Sequence, residues 1–324
     1  MPVSNIQNRH FILITTMKKY ILNIFKGAGM GAADVVPGVS GGTIALITGI
    51  YEELVDSLKS INLAAVKTLF SKGISAFWAH INGWFLVSVF AGVFASVFSL
   101  AKLLETLLEQ YPIMVWSFFF GLIVASALMI LGKIKKWNIG KIIGVIAGTI
   151  VAYMITVLSP AQTPETWWFV MLSGAIAICA MILPGISGAF ILLLLGKYAY
   201  IIGAISNLDF EIIAIFGVGA IVGLLSFSNL LSYLLHKFHD LTIAILSGFM
   251  LGSLNKVWPW KEVLETYTDR HGEVHPLIEK NIMPGAYETT NGEPSFVLYA
   301  VLFMILGFSI IFIFEVAAKK LSKS

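Results

Sequence analysis

Two short stretches of this chain carry the pattern most able to do chemistry. Pro37-Gly38-Val39-Ser40-Gly41 recurs 147 residues later as Pro184-Gly185-Ile186-Ser187-Gly188. Proline lacks an amide hydrogen and disfavours helix in the residue before it, so each Pro-Gly ends the apolar segment leading into it. A helix that restarts just beyond exposes unpaired amides and the positive end of its dipole. Ser40, Gly41, Gly42 and Thr43 stand in the first turn of one such helix, Ser187 and Gly188 in that of the other. Glycine lets a ligand approach the backbone closely, and the hydroxyls add donors. The combination suits an anion such as phosphate or carboxylate. Two tips facing each other would hold one head group from both sides. Glycine and serine also serve plain helix packing. A matched pair with proline at both breaks favours binding.

The neighbouring charges are few. Asp34 precedes the first break by three residues, where the second copy has Met181. A carboxylate at that depth either takes up a proton against an incoming anion or caps the hairpin, and both readings stand. Glu52 and Glu53 follow the first hairpin and Lys197 follows the second, as gates or as interfacial charges. The only arginines, Arg9 and Arg270, fall outside the predicted spans. A guanidinium clamp on phosphate is therefore hard to build, which leaves amides, hydroxyls and Lys26 or Lys197. His271 and His275 have i, i+4 spacing but no third ligand, so a solvated loop is the expectation there rather than a metal site. Neither a cofactor nor a catalytic residue is indicated.

The elements that must position these residues lie in lipid. Of 324 residues, 58% are hydrophobic and 12% charged, against roughly 25% charged in soluble domains. Residues 142–196 hold one charged side chain, Glu165. The net charge of +3 is too small to suggest nucleic acid. The pattern predicts an all-α polytopic membrane protein with full crossings near 84–104, 112–132, 139–158, 212–235, 241–257 and 296–316. Residues 1–26, residues 133–141 and the tail from Ala317 hold eleven basic residues and no acid. The links 102–111, 159–166 and 254–295 hold five basic and ten acidic residues. The positive-inside rule puts the first group, with both termini, in the cytoplasm.

The match between the motifs continues along the chain: eight of the fifteen positions 37–51 equal those of 184–198. Gly121 and Ser126 also align with Gly248 and Ser253. Each motif precedes three spans, an odd number, so the two halves enter from opposite faces as an inverted-topology repeat. The first half, 1–160, comprises a hairpin at 20–50, an amphipathic segment at 54–80 and three spans. The second, 161–324, comprises a hairpin at 167–196, three spans and an external loop at 258–295, where a β-hairpin fits the turn residues. Each hairpin is expected to be re-entrant or a full broken span, with its tip near the midplane.

Asp34-Val35-Val36-Pro37-Gly38-Val39-Ser40-Gly41-Gly42-Thr43, followed by Gly49-Ile50-Tyr51-Glu52-Glu53-Leu54, resembles the first signature of the bacterial undecaprenyl-phosphate translocases. Leu183-Pro184-Gly185-Ile186-Ser187-Gly188 with Gly196-Lys197-Tyr198 resembles their second, although Ala189-Phe190 replaces the Gly-Thr pair. The resemblance implies a transporter in the bacterial cytoplasmic membrane, not an enzyme. Its cargo would be a polyprenyl phosphate, returned from the outer to the inner leaflet for cell-wall synthesis. Asp34, Ser40, Thr43 and Ser187 carry over by position. The rivals are a membrane polyprenyl-pyrophosphate phosphatase, which would want a histidine and an arginine that neither tip has, and a secondary transporter of a small anion.

Overall fold

The structure, a computed structural model, describes residues 3–35, 39–161, 163–268 and 274–321. Pro37 and Gly38 of the first motif lie outside the described residues, as do Arg270 and His271.

Helix α1 (Val3–Val35) leads into the first break. Beyond it come α2 (Gly41–Ile47), α3 (Tyr51–Ser60), α4 (Leu63–Lys72) and α5 (Ile74–His80). Three long helices complete the first half: α6 (Gly83–Gln110), α7 (Pro112–Gly132) and α8 (Ile139–Val157). The second half continues with α9 (Trp167–Ile182), α10 (Gly188–Leu194), α11 (Tyr198–Ser206), α12 (Phe210–Lys237) and α13 (His239–Ser253), without counterparts of α4 and α5. Strands β1 (Lys261–Thr268) and β2 (Val274–Asn281), α14 (Pro284–Asn291) and α15 (Val297–Leu321) follow.

Among the described residues, α6, α7, α8 and α12 are long and apolar enough to cross a bilayer. The span expected at 241–257 is shorter than predicted, because α13 stops at Ser253 after fifteen residues. At 1.5 Å per residue that is about 22 Å, less than a bilayer core of roughly 30 Å. Helices α10 and α11 together are apolar enough but bend by 111° at their junction. The segment 54–80, expected as one amphipathic helix, is three short ones. Asn62 starts α4 by accepting from the amides of Ala64 and Ala65, and Gly73 ends it at φ 81°. The polar loop contains the expected hairpin, with β1 antiparallel to β2. It is tied down by Trp258 Nε1 donating to Ile282 O at 2.9 Å and Trp260 Nε1 to Ser295 O at 2.7 Å. Among the described residues, the helices are thus accompanied by this two-stranded sheet alone.

Lipid tails are as apolar as leucine, so helices in a membrane gain most by bringing backbones close together at small residues. Gly27 of α1 abuts the Val89 backbone of α6, and Gly92 abuts Ile24. In the second half Gly174 of α9 abuts Phe216 of α12, and Gly219 abuts Met171. The other two tight pairs cross between the halves. Gly148 of α8 meets Ile245 of α13 and Gly248 meets Val145, while Gly121 of α7 meets Met304 of α15 and Gly307 meets Phe118. Each contact has its counterpart at a constant offset: 147 residues from α1 to α9, 127 from α6 and α7 to α12 and α13, 159 from α8 to α15. On α8 the split is plain: Gly144, Gly148 and Ala152 are buried, whereas Ile142, Ile146 and Ile150 face outward.

Candidate functional site

The two motif tips meet. Residues 39–43 pack against 181–185, and the contact is made of polar groups in a buried setting. Ser40 and Thr43 are essentially inaccessible. Ser40 Oγ donates to Leu183 O at 3.1 Å, with Met181 O also within 3.4 Å. In the other direction Gly185 N donates to Thr43 Oγ1 at 2.9 Å. Tyr51 OH, also buried, donates to Ile182 O at 3.1 Å. Gly42 is needed for this approach, since a Cβ there would lie 2.6 Å from Ile182 O. Gly185 has φ +88°, a conformation side chains disfavour, and a Cβ on it would lie 2.9 Å from Ser253 Oγ. Pro184, Gly185 and Gly188 are buried beside this contact.

The first tip is fully capped from within. Gly41 N donates to Asp34 Oδ1 at 2.6 Å, Gly42 N to Ser40 Oγ at 3.1 Å, and Thr43 N to Ser40 O at 2.9 Å. Asp34 therefore sits on the leading amide of α2, that of Gly41. The second tip is different. Ser187 makes no side-chain cap to α10. Among the described residues, neither its hydroxyl nor the amides of Gly188 and Ala189 have a partner. Met181, in place of Asp34, supplies only a thioether.

The other predicted site residues lie away from the tips. Glu53 binds Lys19 at 3.0 Å and accepts from Asn82 Nδ2 at 3.1 Å. Glu52 faces His239 Nε2 at 2.9 Å. Lys26 Nζ donates to Thr48 O, at the far end of α2, at 2.9 Å. Lys197 is buried, donates to Thr163 O at 2.8 Å, and lies over the rings of Phe169 and Tyr200. No carboxylate pairs with it among the described residues. Sequence reasoning missed Tyr51 as a tip residue. Its signal was present, because it closes the fifteen-residue match, opposite Tyr198.

With two amide-bearing tips in contact inside an apolar bundle, the arrangement can hold an anion but presents neither histidine nor arginine at either tip. The model of the undecaprenyl phosphate translocase-like family matches residues 30–275, which include both motifs. A polyprenyl-phosphate transporter of Vibrio cholerae is 48% identical over 301 residues, covering 93% of this chain and 98% of that protein. A polyprenyl-phosphate transporter of Staphylococcus aureus is 35% identical over 257 residues, covering 74% of this chain and 86% of that protein. These are names of transporters, not of enzymes. No solved structure matches the chain. The extent of these matches, across both tips and most of the helices between them, makes the chain a member of the undecaprenyl phosphate translocase-like family.

Proposed function

We propose that this chain carries polyprenyl phosphate through the bacterial cytoplasmic membrane, from the outer leaflet to the inner, returning the lipid for cell-wall synthesis. The observation that carries the reading is the contact of two duplicated tips, one capped by Asp34 and one left uncapped. The phosphate binds first at the open donors of Ser187, Gly188 and Ala189. It then replaces the Asp34 carboxylate on the amide of Gly41, and Asp34 takes up a proton as it is displaced. The prenyl tail stays in lipid throughout. The constant-offset glycine contacts support a two-fold relation between the halves. We take that relation as inverted, with both termini in the cytoplasm and alternating access by rocking the glycine-locked helix pairs against one another, since two of those pairs join the halves.

The test is reconstitution into vesicles with labelled polyprenyl phosphate, with and without a pH gradient. Wild-type protein should move the lipid, and Asp34→Asn or Ser187→Ala should abolish movement without loss of folded protein. Equal rates in both variants would remove the tips from the mechanism, and a wild type that moves no lipid would remove the function. Single-cysteine labelling in a Cys179→Ala background should find residues 133–141 and 258–295 on opposite sides.

A further inference from the structure

A cavity of about 370 Å³ lies where the β-hairpin meets the helix bundle. Its walls come from the end of α8, from α10, from the link after α13 and from both strands. Two lysines dominate it. Lys256 Nζ and Lys261 Nζ bind the same carboxylate oxygen, Glu279 Oε2, at 2.9 and 3.2 Å. All three side chains are largely buried. Each ammonium is also seated on a ring: Lys256 lies 4.9 Å from the centroid of Phe190, and Lys261 lies 4.2 Å from that of Trp116. Two cations against one anion leave a surplus positive charge in a confined space, and Lys280 lines the same cavity. Buried charge is costly unless it is neutralised, so the pocket is built for a further anion.

Two features narrow the class of anion. Rotatable ammoniums are point-charge donors suited to phosphate oxygens, and a phosphate monoester carries about −1.5 to −2 charges at neutral pH. Val157 and Leu158 at the α8 end also line it, both more than half exposed on the apolar flank of the bundle. A free anion needs no such flank, whereas a lipid tail does. The cavity also adjoins the uncapped tip: Phe190 is one turn beyond Ser187 on α10, and Lys256 is three residues beyond Ser253, which packs on Gly185.

We propose that Lys256 and Lys261 form a loading site for the phosphate head group of a lipid phosphate monoester, ahead of the second tip. The inference rests on the transport reading above and adds residues that reading does not use. Glu279 occupies the site in the absence of ligand and keeps the lysines oriented.

The full-length protein in nanodiscs is titrated with polyprenyl phosphate and, separately, with inorganic phosphate in large excess. Binding is read by tryptophan fluorescence, since Trp116 underlies Lys261. The triple variant Lys256→Gln/Lys261→Gln/Glu279→Gln removes the surplus charge without stranding the glutamate, and should weaken lipid binding about tenfold or more. Glu279→Gln alone removes the competing anion and should tighten it, a gain that a misfolded protein would not show. If the triple variant binds as well as a wild type that binds, the loading site falls and the transport reading stands. If wild type binds no lipid, both fall. If inorganic phosphate binds as tightly as the lipid, the lipid assignment is overturned.

Discussion

The two tips descend from one pattern and are now used differently. In the first, Asp34, Ser40 and Thr43 satisfy every leading amide of α2 and reach across to Leu183 and Gly185. In the second, Met181 stands for Asp34 and Ala189-Phe190 for Gly42-Thr43, and the leading donors of α10 remain open. The repeated motif thus yields one tip whose leading amides are bonded within the fold and one whose leading donors have no partner among the described residues. The serine at the same motif position has a different physical role in each.

Substitutions that separate the tips should have the largest effect. Gly42→Val places a side chain against the Ile182 carbonyl. It should cost about 1–3 kcal/mol, as overpacking does, with a lower melting temperature and no transport. Ser40→Ala removes a cap and a bond between hairpins, so a loss of about 1–2 kcal/mol is expected. Ser187→Ala should leave the melting temperature nearly unchanged while abolishing transport. Equal destabilisation by both serine variants would erase the distinction between the tips. Tyr51→Phe should cost about 1 kcal/mol for its bond to Ile182, read by thermal melting beside Tyr198→Phe, whose hydroxyl has no partner among the described residues.

The smallest effect is a pH dependence near the hairpin. Burial pushes the Lys261 ammonium down to about 8, against the opposing pull of Glu279. Lys256 and Glu279 face it directly. Lipid binding should therefore weaken as pH rises through about 8, and the triple variant should lack that step. The sign for stability is opposite. The buried ammonium costs stability below that value, and the native state gains as pH rises from about 8 toward the ordinary lysine range. Burial opposes ionisation of Glu279, but Lys261 and then Lys256 outweigh it and hold its carboxyl below the usual range. Its contribution is present above the ordinary glutamate value and is lost as pH falls through the lowered one.

The tips were legible because their signal is local: a Pro-Gly break, small residues and hydroxyls, twice over at a fixed offset. The breaks at Asn62 and Gly73 were equally local, yet the apolar-basic spacing of 54–80 masked them. The shortness of α13 was hidden because Leu254 and Val257 continue its apolar run beyond the helix end. The pairing of tip with tip follows from parity and from the need of broken backbone for cover inside a membrane, whereas its chemistry depends on carbonyls of residues 181–183, and a backbone acceptor leaves no mark in a sequence. Lys256, Lys261 and Glu279 were invisible for another reason. They read as ordinary loop charges until the hairpin folds Glu279 back onto the lysines.

The glycine junctions bear on how such a molecule can move. Where Gly27 meets Val89, or Gly219 meets Met171, main chains touch with no side-chain layer between them to slide or re-pack. Helices joined in that manner behave as bonded beams. Flexure must then concentrate at joints of another construction, such as the 111° corner between α10 and α11. A change of angle at that corner would leave the stiff pairs intact.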